Sequence, residues 1–358
     1  MAEFRQNEAS LWISKNRESA FNTPATTGAA FLSATTQNPV VLIPEMEKTD
    51  DSGRAGNASE FPTAQCNQYW TPVAAGFSDQ ANFDLHGRLA LRAVGGAVTD
   101  ATVVASVAFS HTANMLAKSV GLQLPSSTVI SELGGASFLF AGCVVERFRL
   151  SQEGVNPVIA QFDLLGSGKH RSPHAVTSLP AVPTFSCLKP KSYLNYNDGA
   201  LIDLTTACRV RSWFVEIVNS HAPADDRCIG DPSQNAGDYT ASGGASDASF
   251  NSKLTRGNRT VTAQIVILLD STMPEWLQMA SNTALTNITF GARGAVLDGA
   301  GPTYQSLKVI VPNGKFAAIQ EQDSNGKAAL VLSFKTFYDA TAIGAKVEVV
   351  NGTAATFD

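Results

Sequence analysis

GCVVERFRLSQEGVNPVIAQFDLLG, residues 142–166, and GKFAAIQEQDSNGKAALVLSFKTFYD, residues 314–339, share one shape: two apolar-rich runs about a polar turn. In the first, Phe148, Leu150, Val158, Phe162 and Leu164 fall on one side of an alternating strand pair. Arg147, Arg149, Gln161 and Asp163 take the other side, so the expected sheet is apolar on one face and wet on the other. Gly154 and Gly326 stand eight residues before Phe162 and Phe334, and Asn-Gly at 325–326 is a strong hairpin-turn signal, as are 313–314 and 351–352.

Outward from these hairpins the same order of elements is written twice. VVASVAFSHTANMLAKSVG (103–121) lies before the first hairpin and VTAQIVILLDSTMPEWLQMAS (261–281) before the second, each reading as strand then helix. The spacing predicts a strand over 102–109 and a helix over 111–121, with Ser110 as cap, Met115, Leu116 and Val120 on one face, and Gly121 as the stop. A second helix is expected over 271–282, with Pro274 in its first turn and Trp276, Leu277 and Met279 inward. Further strands are expected over 82–93, ahead of a Gly95-Gly96 turn, and over 137–142, 209–220, 255–269, 285–292 and 306–312. The ordered set of elements implies a duplication.

Residues 1–65 are rich in Gly, Ser, Thr, Asn and Pro clusters, broken only by Leu11–Ile13 and by a short strand expected at Val40–Ile43. The chain therefore divides into an extended arm (1–65), a first unit (66–170), a Pro/Ser-rich linker (171–205) and a second unit (206–358) with a long loop at 221–251.

Composition narrows the function classes. The 358 residues are 44% hydrophobic and only 16% charged, with a net charge of −5. That low charge suits a surface that meets protein, and the lack of basic excess argues against tight nucleic-acid binding. Five scattered cysteines without a CxxC read as reduced core thiols of a protein made in the cytosol. MAEFRQNEASLW has neither the basic nor the apolar region of a secretory signal, and no apolar run is long enough to span a membrane.

Chemistry-bearing patterns are weak. His170 and His174 are four apart, but Pro173 between them argues against a helical metal pair. No GxSxG or phosphate-binding glycine loop follows a strand, and Asp50–Asp51 and Asp225–Asp226 sit in loop-like stretches. Neither metal nor cofactor is expected, and no enzymatic activity. Trp12, Trp70, Trp213 and Trp276 read as core or interface anchors.

WISKNRESAFNTPATTG (12–28), the block VVASVAFSHTANMLAKSVG with the first hairpin, and RTVTAQIVILLDSTMPEWLQ with AALVLSFKTFYDATAIGAKVEVVNG carry a resemblance in their order. The chain resembles the tail tube proteins, or major tail proteins, of long non-contractile-tailed bacteriophages, in the branch holding two units per chain. It departs from that pattern in the long loop at 221–251 and in TDDSGRAGNASEFPT. The resemblance implies a mainly β fold: two tandem β-sandwich or half-barrel units, each with a short flanking α-helix, behind a long N-terminal arm. It implies a structural virion protein, made in the host cytoplasm and resident in the phage tail, that closes into rings and stacks into a tube for DNA ejection. Two units per chain imply a homotrimeric pseudo-hexameric ring, with a hexamer as the alternative. Double-stranded DNA would pass through without specific binding, and the tape measure and terminator proteins would be further partners.

On this reading the candidate lumen-facing residues are Arg147, Arg149, Gln161 and Asp163, with Ser333 and Lys335 at matching positions. Either the two arginines pair with carboxylates or the facing is wrong. Candidate assembly contacts are Trp12, Phe21 and Trp276. Two other readings compete: a capsid decoration or tail terminator protein, and a carbohydrate hydrolase using Glu146 and Asp163.

Overall fold

A computed structural model of the chain describes residues 9–25, 31–34, 42–50, 65–117, 121–133, 136–171, 191–197, 200–202, 210–226, 250–269, 276, 279–282, 284–299, 303–324, 326–337 and 344–354. In chain order its strands are β1 (Ala9–Ser14), β2 (Phe31–Ala34), β3 (Met46–Asp50), β4 (Gln65–Trp70), β5 (Ala74–Gln80), β6 (Thr99–Val104), β7 (Ala108–Asn114), β8 (Ser127–Leu133), β9 (Ala136–Glu153) and β10 (Ile159–Leu165). They continue with β11 (His170–Arg171), β12 (Lys191–Asn197), β13 (Ala200–Ile202), β14 (Val210–Val218), β15 (Thr260–Leu268), β16 (Leu285–Val296), β17 (Tyr304–Ser324), β18 (Lys327–Thr336) and β19 (Lys346–Asn351). A helix, α1 (Leu85–Val94), lies between β5 and β6.

Two long strands organise this antiparallel network. The first half of β9 pairs with β8 and β11, and β8 carries β1 and then β2. The second half of β9 joins β10 on one side and β14 on the other, which extends the run to β5–β10–β9–β14–β15–β18 and the distal half of β17. The proximal half of β17 pairs with β16 and β19, and through them reaches β12–β13 and β7–β6. Strands of both halves of the sequence thus share one sheet. They also share one apolar core, in which Phe148 stacks on Phe162 at 4.8 Å and Phe316 meets Phe334 at 5.0 Å. Each such buried ring contributes about 1.5–3 kcal/mol.

The hairpin facing expected from alternation is found. Phe148, Leu150, Val158, Phe162 and Leu164 are all buried, and Phe162 lies opposite Phe148 and Gln161 opposite Arg149. The second turn falls at Gly326, whose φ of 76° is a left-handed conformation that favours glycine.

Several local expectations are corrected. Residues 82–93 are not a strand: Asn82 Oδ1 accepts from the amides of Asp84 and His86 at the start of α1, and Gly95, with φ 75°, closes the helix by donating to Leu91 O. Gly95–Gly96 is therefore a helix stop and not a hairpin turn. The 102–109 run is a hairpin, β6 and β7, that turns at Ser106 with φ 62°. The helix expected at 111–121 is β7 as far as Asn114, because β7 pairs with β19 from the far end of the chain. His111 secures that pairing, its ring 2.6 Å from Asp100 Oδ1 and 3.2 Å from Asn351 Oδ1.

Asn313–Gly314 lies within β17 and does not turn, and Gly352 ends β19 without a hairpin. Leu42 and Ile43 are not in a strand; the next strand begins at Met46. Trp276 is 50% exposed and not inward, while most of the 271–282 helix lies outside the described residues, as do 172–190 of the linker and 227–249 of the loop.

Candidate functional site

The seven-strand run beginning at β5 presents the expected wet face. Arg147 and Arg149 of β9 stand beside Glu216 of β14 because Glu216 is in register with Arg149 and Val218 with Arg147. Arg147 donates to Glu216 Oε1 through Nε at 2.7 Å and Nη2 at 2.6 Å, and its Nη1 is 3.6 Å from Asp163 Oδ2. The hydrogen bond to Glu216 leads the causes that raise the Arg147 pKa. Arg149 reaches the same carboxylate at 3.9 Å and lies over the Phe214 ring at 4.3 Å from its centroid. Of the two possibilities left open by the sequence, pairing with carboxylates is the one found.

Gln161 lies opposite Ser78 and Asp163 opposite Gly76, so small side chains of β5 flank them. Ser333 and Lys335 of β18 lie opposite Gln264 and Thr262 of β15, at the other end of the same run. Arg147, Arg149 and Asp163 form one connected cluster with Glu216, and Gln161 lies in register beside Arg149; Ser333 and Lys335, both on β18, sit three strands away from β9 and do not join it. Glu146 is the extra residue of a bulge between Asp163 and Leu164 pairings, and its pKa is raised by burial first and by Asp163 second.

A second constellation fastens the N-terminal segment. Glu18, in the RESAFNTP stretch, accepts from Ser126 Oγ at 2.6 Å, Thr128 Oγ1 at 2.9 Å and the amides of Asn22 and Gly142 at 3.1 Å. Burial still outweighs these donors and raises its pKa. Asn22 then bridges outward: its amide donates to Asn251 O at 2.8 Å, while its Oδ1 accepts from Ser167 Oγ at 2.5 Å. Gly142 makes this approach possible, since a Cβ there would stand 2.0 Å from Asn22 Oδ1 and its φ is 67°. Behind them Arg92 of α1, fully buried, donates to Ser14 O at 3.0 Å, Ser127 Oγ at 2.8 Å and Lys15 O.

Trp12 is buried within this chain's own core beside Phe31, Phe21 packs half-buried on the Leu124 cluster, and Trp276 stands half exposed. His170 Nδ1 donates to Gly168 O at 3.1 Å and the ring packs near Phe140; His174 lies outside the described residues. Cys143 is a buried free thiol, and burial pushes its pKa up.

A family model described as phage tail tube protein matches residues 7–313. The chain belongs to the phage tail tube protein family. The match runs from just before β1 into β17 and so takes in the N-terminal anchor, the first hairpin and the Arg147–Glu216 cluster. No curated protein matches the sequence. The tube protein's role is accordingly structural, in the phage tail, with a mainly β fold in an open antiparallel sheet. No helix among the described residues is long and apolar enough to cross a membrane.

Sequence reasoning missed Glu216, Glu18 and Arg92 as organising residues. Glu18 lay within a quoted motif, but its partners come from 108 residues or more away, apart from Asn22. Glu216 alternates onto the polar side of β14 and could have been found from that period alone.

Proposed function

We propose that copies of the tube protein close edge to edge into rings around an open axis and that rings stack into a tube through which double-stranded DNA passes to the host. The carrying observation is the seven-strand run that holds both hairpins with β14 and β15 between them, apolar on one face and polar on the other, with β5 and the distal half of β17 each paired on one side only among the described residues. Such edges are templates for pairing with another chain. Two units, 66–170 and 206–358, joined by 171–205 and preceded by 1–65, would let three chains supply six staves; six chains are the alternative.

The polar face then lines the channel, with Arg147, Arg149, Gln161, Asp163, Ser333 and Lys335 on it. Its first-hairpin guanidiniums are already neutralised by Glu216 and Asp163, which supports a wall that DNA slides along without counterion-release affinity. Of the three candidate contacts, Trp276 is the one that offers exposed apolar surface to a neighbour. Tape measure and terminator proteins would meet the inside and end of such a tube.

Negative-stain electron microscopy of the purified full chain is the test. Tubes or stacked rings with an open axial channel are expected. A chain that stays a dispersed monomer across concentration and salt overturns the reading.

A further inference from the structure

Residues Arg256–Arg259 lead into β15 at the end of the sheet opposite the hairpin tips. Here the chain gathers two guanidiniums that are answered only by carbonyls. Arg259 donates to Val94 O at 2.9 Å, Ala93 O at 3.1 Å and Leu116 O at 3.3 Å, capping α1. Arg256 donates to Leu116 O at 3.0 Å and Gly121 O at 3.2 Å. The Nε of each is buried without a hydrogen-bond partner, and among the described residues no carboxylate comes within ion-pair distance of either.

The neighbouring groups do not supply the missing charge. Asp226 is engaged by the amide and hydroxyl of Thr255. His221, bridged to Arg256, has both ring nitrogens unpartnered, and burial lowers its pKa to about 4. Burial, with Arg256 adding its repulsion, also draws Arg259 down to about 9. Two like charges kept this poorly solvated favour an anion. Beside them opens a cavity of about 260 Å³ lined by Leu116, Asn258, Val261 and the exposed ring of Phe337.

The other end of the sheet carries the complementary chemistry. β9 and β17 run away from this pocket; β9 ends at exposed Glu153, and β17 carries exposed Glu321 three residues before its end at Ser324. Val155, at the first tip, is 92% exposed, and nothing lies within 4 Å of where a Gly154 side chain would stand. Strand lengths such as the nine residues of β14 separate tip from pocket by roughly 30 Å, too far for closure within one chain. A head-to-tail stack brings one copy's tips onto the next copy's pocket end.

We infer that the Arg256–Arg259 pocket receives a hairpin-tip carboxylate, Glu153 or Glu321, from a second copy of this chain in the adjoining ring. This rests on the tube reading above and names its stacking contact. It is a charge-assisted pair in a partly desolvated seat, so it acts on stacking and leaves edge-to-edge ring closure alone.

The test uses full-length protein and reads the critical concentration for tube formation by sedimentation, with micrographs to separate single rings from tubes. Glu153→Gln with Glu321→Gln, both at exposed tips and harmless to the core, is expected to raise that concentration at least about tenfold and leave single rings. The single variants show which tip docks. Tubes at wild-type concentration from the double tip variant overturn the contact while leaving the tube reading intact. A wild-type chain that never forms tubes overturns both.

Discussion

Glu18 shows how one side chain ties the N-terminal segment to the sheet. Four donors converge on its carboxylate, yet burial holds its pKa above the ordinary 4.5. A folded state that holds this proton more tightly than the unfolded chain gains stability below pH 4.5. That gain is lost as pH rises through the higher folded value. Glu18→Gln would turn an amide NH2 toward groups that donate, which costs on the order of 1–3 kcal/mol. Urea denaturation across pH is expected to show that loss at neutral pH, and a flatter pH dependence above 4.5 in the variant. Equal stability with an unchanged slope would mean that the segment is held elsewhere, by Arg92 and Arg88 at the carbonyls of Ser14 and Lys15.

At the level of elements, what could be read from sequence followed what alternation encodes. The first hairpin's faces were legible because one side packs and the other is wet, so period two writes itself into the residues. α1 was not legible because its polar stripe does not face solvent: every one of its residues is buried, and Arg88 and Arg92, four apart on one face, sit inside as donors to the β1 end. β7 misled because its strand state is imposed by β19, more than two hundred residues away. The candidate site divides in the same way: Arg147, Arg149 and Asp163 were readable, whereas Arg256 and Arg259 sit in a loop without period.

The wet hairpin face makes its own prediction. Glu216→Gln removes the carboxylate shared by Arg147 and Arg149. At this partly exposed position the stability cost is only about 0–1 kcal/mol. Tubes should still form, but the Arg149 guanidinium, left without a carboxylate while Arg147 keeps Asp163, should hold DNA, with retention that weakens as salt is raised. Filter retention of duplex DNA by variant and wild-type tubes reads this directly, and indistinguishable salt curves would place the cluster away from the channel.

For the whole molecule the deciding feature is the pair of open borders. β5 finds β10 on one side, and the distal half of β17 finds β18 on one side. Among the described residues these two borders are unpaired on their outer sides, with one continuous apolar core behind the sheet, which leaves them open to another chain. If neighbours complete it, backbone amides along Ala74–Gln80 and Lys315–Ser324 exchange their water partners for strand partners on assembly. Hydrogen exchange should therefore slow at alternate positions of these two segments by at least about a hundredfold between dissociated chain and rings. β14, already paired on both sides, should change little. Slowing confined to the hairpin tips would mean that copies meet only by stacking. Slowing at β5 and β17 in single rings, before any tube exists, would separate ring closure from the Arg256–Arg259 contact and assign each to its own surface.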